Sequence, residues 1–434
     1  MWKKPWKYGE GTAIVLGLAL VGLMLQLTVG PLDWDIFMWP ANAVTLALLL
    51  VALALMSVLR RKIYLFTFMT TMPAAVPAIA MAALLTMIMG LTKQVATNVA
   101  PADPLGLTKM LSFWPFVLVY FWMTMIVGLV AVKQLEHPNW RTVPVLLSHA
   151  GLFIALTCAT LGSADMQRLK MYCEQDKPEW RGLDAWNNVH ELPLAIELKK
   201  FTIEEYPPKL LIINEEGLPL PLGKGKSDQL MLEKGVRSGR LLDYNVKVEK
   251  FLPNGVPTAL LKMVDAMPQG MMKMVRMDSL GMVVNKGSYV EKKTPGAAPT
   301  AYVTVTGHGH KHQGWVTCGS YQFPYQGLPL SDGQSLVMGE PEPQRYLSKV
   351  MVYTPDGQGR QAEISVNHPL SVSGWKVYQL SYNEEMGRWS TLSVLELVRD
   401  PWLPATYVGI GLLMIGAIGM FIIPSRKQRK EAQQ

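Results

Sequence analysis

The six long apolar runs of this sequence contain no Asp, Glu, Lys or Arg and a single histidine, His149, in Val145-Leu-Leu-Ser-His-Ala-Gly-Leu-Phe153. An imidazole in hydrocarbon is costly unless it binds something, so such a residue is a functional candidate by default. A neutral imidazole is a good axial ligand for haem iron. Gly151, two residues on, leaves room for a flat ligand or another helix. The competing reading is a histidine hydrogen-bonded to a neighbouring helix, as Ser148 or Gln26 could be, and spacing alone leaves both open. His149 stands eight residues beyond Arg141, about 12 Å along a helix and in the half of the span nearer that basic flank.

A second constellation is His308-Gly-His310-Lys-His312. On a strand, alternate residues share a face, so three imidazoles could converge on one transition metal. Met263, Met267, Met271, Met272, Met274, Met277 and Met282 lie upstream and would suit Cu(I). Against a metal site, the glycines and Gln313-Gly314 read as a solvated hairpin tip, and methionine is common throughout the chain, with 27 in all. His137, His190 and His368 have no supporting partners and read as structural or exposed. Three cysteines, Cys158, Cys173 and Cys318, are too few for a disulfide scaffold. A Cys173–Cys318 bridge and two unpaired buried thiols are both compatible with the sequence. No C-x-x-C, phosphate-binding glycine loop, G-x-S-x-G elbow or H-E-x-x-H is present, which argues against dithiol, nucleotide and hydrolytic chemistry.

The elements that must position these residues are mostly apolar. Half of the 434 residues are hydrophobic and 17% are charged, against about 25% in a typical soluble domain. Runs at roughly 11–30, 37–58, 63–91, 114–132, 143–161 and 404–423 are long enough to cross a bilayer as helices. Pro73 and Pro77 are expected to kink the third run rather than end it. The first run is too long for a signal core and has no small-residue cleavage site before Pro31, so it counts as a span. With the N-terminus inside, the inner flanks hold twelve Lys or Arg, and the short outer loops hold two, Lys93 and Lys109. That asymmetry predicts cytoplasmic termini and an outer, periplasmic segment 162–402 in a bacterial inner membrane. This segment carries 27 basic and 27 acidic residues. The net charge of +8 therefore sits at the ends of the runs, where it reads as membrane orientation and not as a nucleic-acid footprint.

The outer segment reads as β structure. Ala195-Ile-Glu-Leu, Tyr244-Asn-Val-Lys-Val-Glu, Ala301-Tyr-Val-Thr-Val-Thr and Thr391 to Val398 alternate or are rich in β-branched residues. Pro355-Asp-Gly357 predicts a hairpin turn between Val350-Met-Val-Tyr and Ala362-Glu-Ile-Ser-Val. Residues 223–240 and 264–282 stay unassigned. The whole is a polytopic α-helical membrane protein of about six transmembrane helices, with a large extracytoplasmic mainly-β domain inserted before the last helix. Its parts are a membrane domain 1–161, an outer β-rich domain 162–402, and a final helix with a basic tail 403–434.

Several stretches resemble the ResB/CcsB family of cytochrome c biogenesis proteins. They are Ser148-His-Ala-Gly-Leu-Phe153, Leu161-Gly-Ser-Ala-Asp-Met-Gln-Arg-Leu169, Val366-Asn-His-Pro-Leu370, Gly374-Trp-Lys-Val-Tyr-Gln379, Ser381-Tyr382 and Asp400-Pro-Trp402, which leads into a glycine-rich helix. The sequence lacks the tryptophan-rich W-G-x-x-W-x-W-D platform of the fused form and ends after the sixth run. It is therefore similar to the separate CcsB half, with six spans where some relatives have four. The resemblance implies a System II haem exporter and holocytochrome c synthase shared with a CcsA-like membrane partner. It implies that His149 is an axial ligand of haem b in transit and that the partner gives the other. In that scheme reduced haem enters from the cytoplasmic side and moves outward to the partner's platform. The outer domain helps position apocytochrome c, whose C-x-x-C-H thiols add to the haem vinyls. This chain would be half of a haem lyase and supply no acid, base or nucleophile. No chemical role transfers to Trp375, Tyr378, Gln379 or Tyr382. Rival readings are a copper-handling membrane protein using His308, His310 and His312, and a scaffold for CcsA and apocytochrome that never touches haem.

Overall fold

The computed structural model describes residues 2–96, 99–136, 139–221, 228–233, 238–266, 287–331, 333–357 and 359–422. They fall into two compact units, one of Met1–Arg168, Asp184–Asn188 and Val398–Gln434, the other of Leu169–Leu183 and Val189–Leu397.

The first unit is helical. Among the described residues six helices are long and apolar enough to cross a membrane, five before the β-rich unit and one after it. The spans are α1 (Tyr8–Val29), α2 (Ala41–Leu59), α4 (Met72–Leu91), α5 (Trp114–Leu135), α6 (Val143–Gly162) and α8 (Leu403–Ile422). Prolines open several of them. Pro73, Pro115 and Pro144 stand in the first turns of α4, α5 and α6, where a missing N–H costs nothing.

The third run departs from expectation. It is not one kinked span but a short helix α3 (Tyr64–Phe68) followed by α4, with Thr71 extended at φ −115°, ψ 156° as the N-cap. Pro73 therefore starts a helix, while Pro77 stays inside it. Pro77 has no N–H to give the carbonyl of Pro73. Gly11 of α1 closes on that same Pro73 carbonyl oxygen, so closely that a Cβ at Gly11 would collide with it.

Glycines set the other helix crossings, as expected where backbones rather than apolar bulk drive association in lipid. Gly22 of α1 lies on Trp114 and Pro115, and Gly128 of α5 receives the Phe153 ring beside Leu53 of α2. Gly151 of α6 meets the backbone of Gly409 and Leu413, and Gly416 meets Pro144 and Ser148. The neighbour that approaches at Gly151 is thus a helix, α8.

The described residues of the second unit form three sheets. The largest has the strand order β14-β13-β3-β2-β1-β17-β16-β15. These strands are β1 (Gln167–Glu174), β2 (Pro178–Leu183), β3 (Val189–Glu205), β13 (Pro343–Tyr353), β14 (Gly359–Ser365), β15 (Leu370–Val372), β16 (Trp375–Tyr382) and β17 (Leu392–Arg399). Alternate residues face one core: Leu169, Met171 and Cys173 from β1, Leu194, Ile196 and Leu198 from β3, Val350 and Val352 from β13. The predicted hairpin is present, with Gly357 at φ 77° and its N–H donating to the Thr354 carbonyl at 2.9 Å. Its flanking strands β13 and β14 pair antiparallel.

The other two sheets share a core. One holds β6 (Ser238–Leu241), β7 (Tyr244–Pro257, which runs into α7, Thr258–Ala266), β8 (Tyr289–Glu291), β9 (Ala298–Gly307) and β10 (His310–Thr317). The other holds β4 (Lys209–Ile213), β5 (Leu230–Met231), β11 (Leu328–Pro329) and β12 (Ser335–Met338). Val246, Val303 and Val305 from the first pack with Leu210, Ile212 and Leu336 from the second. The Met267–Met282 part of the methionine cluster, and His137, lie outside the described residues.

Candidate functional site

His149 is half-buried at the seventh position of α6. Its Nδ1 lies 2.8 Å from the carbonyl oxygen of Val145, one turn back on the same helix. A carbonyl only accepts, so Nδ1 carries a proton, and in the neutral ring Nε2 keeps its lone pair. Helical spacing puts His149 on the face of α6 that carries Phe153, and away from the Gly151 stripe that meets α8. The hydrogen bond it makes is therefore within its own helix. Gln26, the other polar residue noted in the spans, is buried and its Oε1 accepts from the Trp114 N–H at 3.3 Å, capping α5.

The C-terminal end of α6 is held by a cluster that sequence reasoning missed. Asp165 Oδ1 accepts from the backbone N–H of Trp39 at 2.8 Å. Asp165 Oδ2 accepts from Asn42 Nδ2 at 2.7 Å and from Trp402 Nε1 at 2.8 Å. Asn42 is fully buried and also reaches the Leu161 carbonyl at 3.3 Å. The Trp402 side chain packs where a Cβ on Gly162 would sit. One carboxylate thus ties the N-terminal ends of α2 and α8 to the C-terminal end of α6, and bonds to a charged acceptor are each worth about 1.5–3 kcal/mol. The available signal was an amide inside the otherwise apolar second run and an aspartate just past the fifth.

The His-rich segment forms the tip of the β9–β10 hairpin. His308 at φ 51° and Gly309 at φ 78° make the turn, and His310 pairs with Gly307. The His308 ring leans on Tyr244 with centroids 5.0 Å apart, whereas the His310 and His312 rings are 6.3 Å apart. Among the described residues no three His, Cys, Asp or Glu side chains gather as a metal-binding group. His190 is exposed, and His368 closes a turn through its N–H to the Ser365 carbonyl at 3.0 Å.

The three cysteines are free. Cys173 belongs to the core of the large sheet and Cys318 packs against the cores of the smaller ones, so no bridge joins them. Burial, with Glu179 nearby, pushes the Cys173 thiol up to about 12. Burial pushes Cys318 up to about 12 against the opposing pull of Arg388.

On β16, Trp375 is buried in the large-sheet core with its Nε1 unpartnered among the described residues. Gln379 accepts from Ser348 Oγ at 2.6 Å and Ser393 Oγ at 3.1 Å, and Tyr382 stacks on Phe201 at 5.1 Å. These three side chains pack the sheet. Arg388, just beyond, donates to Glu205 Oε2 at 3.3 Å and to the carbonyls of Pro253 and Ala297 at 3.0 Å. Burial raises the Glu205 carboxyl, opposed by the Arg388 charge.

A family model described as ResB-like matches residues 332–391, the stretch from β12 to the start of β17 that includes β16 and Arg388. The match supports membership of that family, which is associated with cytochrome c biogenesis. No curated protein matches the chain.

Proposed function

We propose that this chain is the ResB-like half of a haem exporter and cytochrome c synthase, and that His149 ligates haem b on its way through the membrane. The reading rests on one observation above all: the single histidine of the spans has its Nδ1–H anchored to the Val145 carbonyl, which leaves Nε2 as a neutral donor. Metal-ligating imidazoles are commonly oriented by a hydrogen bond of this kind at the other nitrogen. The donor chemistry suits haem iron, with a CcsA-like partner giving the second imidazole.

This chain's residues hold and orient; none transfers a proton. His149 binds the cargo, the Asp165 cluster fixes the helix that carries it, and the β-rich unit offers a surface for apocytochrome c. Bound haem supplies the vinyl groups to which the apocytochrome thiols add as thioethers. The orientation has both termini in the cytoplasm and residues 162–402 in the periplasm of a bacterial inner membrane, supported by the twelve-to-two bias in flanking positive charge. A periplasm-active reporter should work when fused after Lys200 and be silent after Lys62. The ligand role is tested by co-purifying the chain with its CcsA-like partner. His149→Ala should leave the complex assembled but depleted of haem, and an unchanged haem spectrum would favour a scaffold instead.

A further inference from the structure

We infer that the β2–β3 turn, Asp184–Asn188, is an anchor that sets Trp186 into the headgroup layer of the bilayer at the outer ends of α6 and α8. The turn connects two strands of the β-rich unit yet belongs to the compact body of the membrane helices. Register gives the reason. β1 begins at Gln167, directly after the short helix Ser163–Asp165 that extends α6. Lys170 pairs with Leu183, the last residue of β2, so the turn that follows projects beyond that pair on the side where β1 begins. Three residues of 3₁₀ helix rise about 6 Å. The headgroup regions add roughly 10–15 Å to the hydrocarbon thickness, shared between two sides. Asp165 therefore falls within that layer when α6 spans the bilayer, and the start of β1, about 7 Å further on, stands just past it, within the reach of an indole side chain.

The turn is built to hold an exposed tryptophan still. Asp184 Oδ1 accepts from the N–H groups of Trp186 at 2.9 Å and Asn188 at 2.8 Å, while Oδ2 accepts from Asn188 Nδ2 at 3.0 Å. Asn187 takes the left-handed conformation at φ 64°, which asparagine tolerates better than most residues. The Trp186 side chain is nonetheless 55% exposed, and Val189 beside it is 61% exposed. A rigid turn that presents an indole to its surroundings fits the belt position, where the ring is apolar and its N–H finds water or a headgroup. Arg168, exposed in the same unit, supplies positive charge for an anionic lipid phosphate. Trp39, 70% exposed and tied through its N–H to Asp165, marks the same rim on the other side of the cluster.

The test uses the full chain in phosphatidylcholine–phosphatidylglycerol vesicles. Trp186→Cys is labelled with a fluorophore, and Lys177→Cys, on the β1–β2 turn at the opposite end of the same two strands, serves as an exposed comparison site. Both are made with Cys158, Cys173 and Cys318 replaced by Ser. Headgroup- and shallow-chain nitroxide lipids should quench the label at 186 several-fold more than the label at 177. Equal quenching, with an aqueous quencher reaching both labels alike, would overturn the assignment. If Trp186→Cys does not fold, the same comparison at Ala185→Cys decides it.

Discussion

The Nδ1–H of His149 points back along its own helix to the Val145 carbonyl at 2.8 Å, so the imidazole is oriented without help from any other span. A histidine whose task was to fasten two helices would spend a ring nitrogen on its neighbour. Here the fastening is done by glycines at the α6–α8 crossing and by Asp165 at the C-terminal end of α6, and Nε2 has no partner among the described residues.

The α6–α8 crossing should not tolerate a side chain at Gly151, where a Cβ meets the Leu413 and Gly409 backbones. Gly151→Leu is expected to cost about 3 kcal/mol through overpacking, read as a lower unfolding midpoint in detergent. Gly411, on α8 with open space around it, gives the control. Gly411→Ala should be neutral or stabilising by about 0.5–1 kcal/mol. Equal effects at the two positions would mean that the crossing does not hold the helices.

Asp165→Ala strips the partner from the indole N–H of Trp402 and the better of two partners from the buried Asn42 amide. Each donor left unsatisfied costs about 1–3 kcal/mol, so the variant should be markedly less stable, while Asp165→Asn, which keeps an acceptor oxygen, should lose less. Thermal unfolding of the three proteins ranks them. Identical midpoints would remove the cluster from the account.

How much of this was legible in the sequence depends on the range of the interaction. The six spans follow from local composition, and the strands from alternation within a few residues of one another. The tautomer of His149 follows from a partner four residues away. The break at Met69–Thr71 was missed because Pro73 reads equally as a kink or as a first-turn residue until the backbone of Thr71 is known. Asp165 was quoted within a motif but given no role, since its donors come from residues 39, 42 and 402. The pairing of β3 with β13 across more than a hundred residues is equally invisible to local pattern.

The cysteines give a chemical test of the β-rich unit. With Cys173 and Cys318 pushed up to about 12 by burial, their thiolate fractions are negligible at pH 8. A maleimide should hardly label either in the folded protein. Denatured without reductant, all three cysteines should label, as counted by mass. A single label would reveal a Cys173–Cys318 disulfide.

At the β9–β10 tip, His308→Asn with His310→Ser and His312→Ser should leave cytochrome c maturation nearly intact. Asparagine accepts the left-handed backbone at position 308, and exposed substitutions such as those at 308 and 310 usually change stability by less than about 0.5 kcal/mol. The half-buried His312 makes no hydrogen bond through its Nε2 among the described residues that serine would lose. Loss of maturation at normal protein level would restore a metal role to the three histidines.

The central claim is that Nε2 of His149 binds haem iron. The most direct measurement is the haem content and spectrum of the complex with the CcsA-like partner when His149 is replaced by Gln, and by Gly with imidazole added. Glutamine reaches as far but is a poor iron ligand, so His149→Gln should lose haem and maturation. His149→Gly should lose both too and recover in millimolar imidazole, a range that corresponds to about 4 kcal/mol of binding. Wild-type haem and maturation in the Gln variant, with no response of the Gly variant to imidazole, would contradict it.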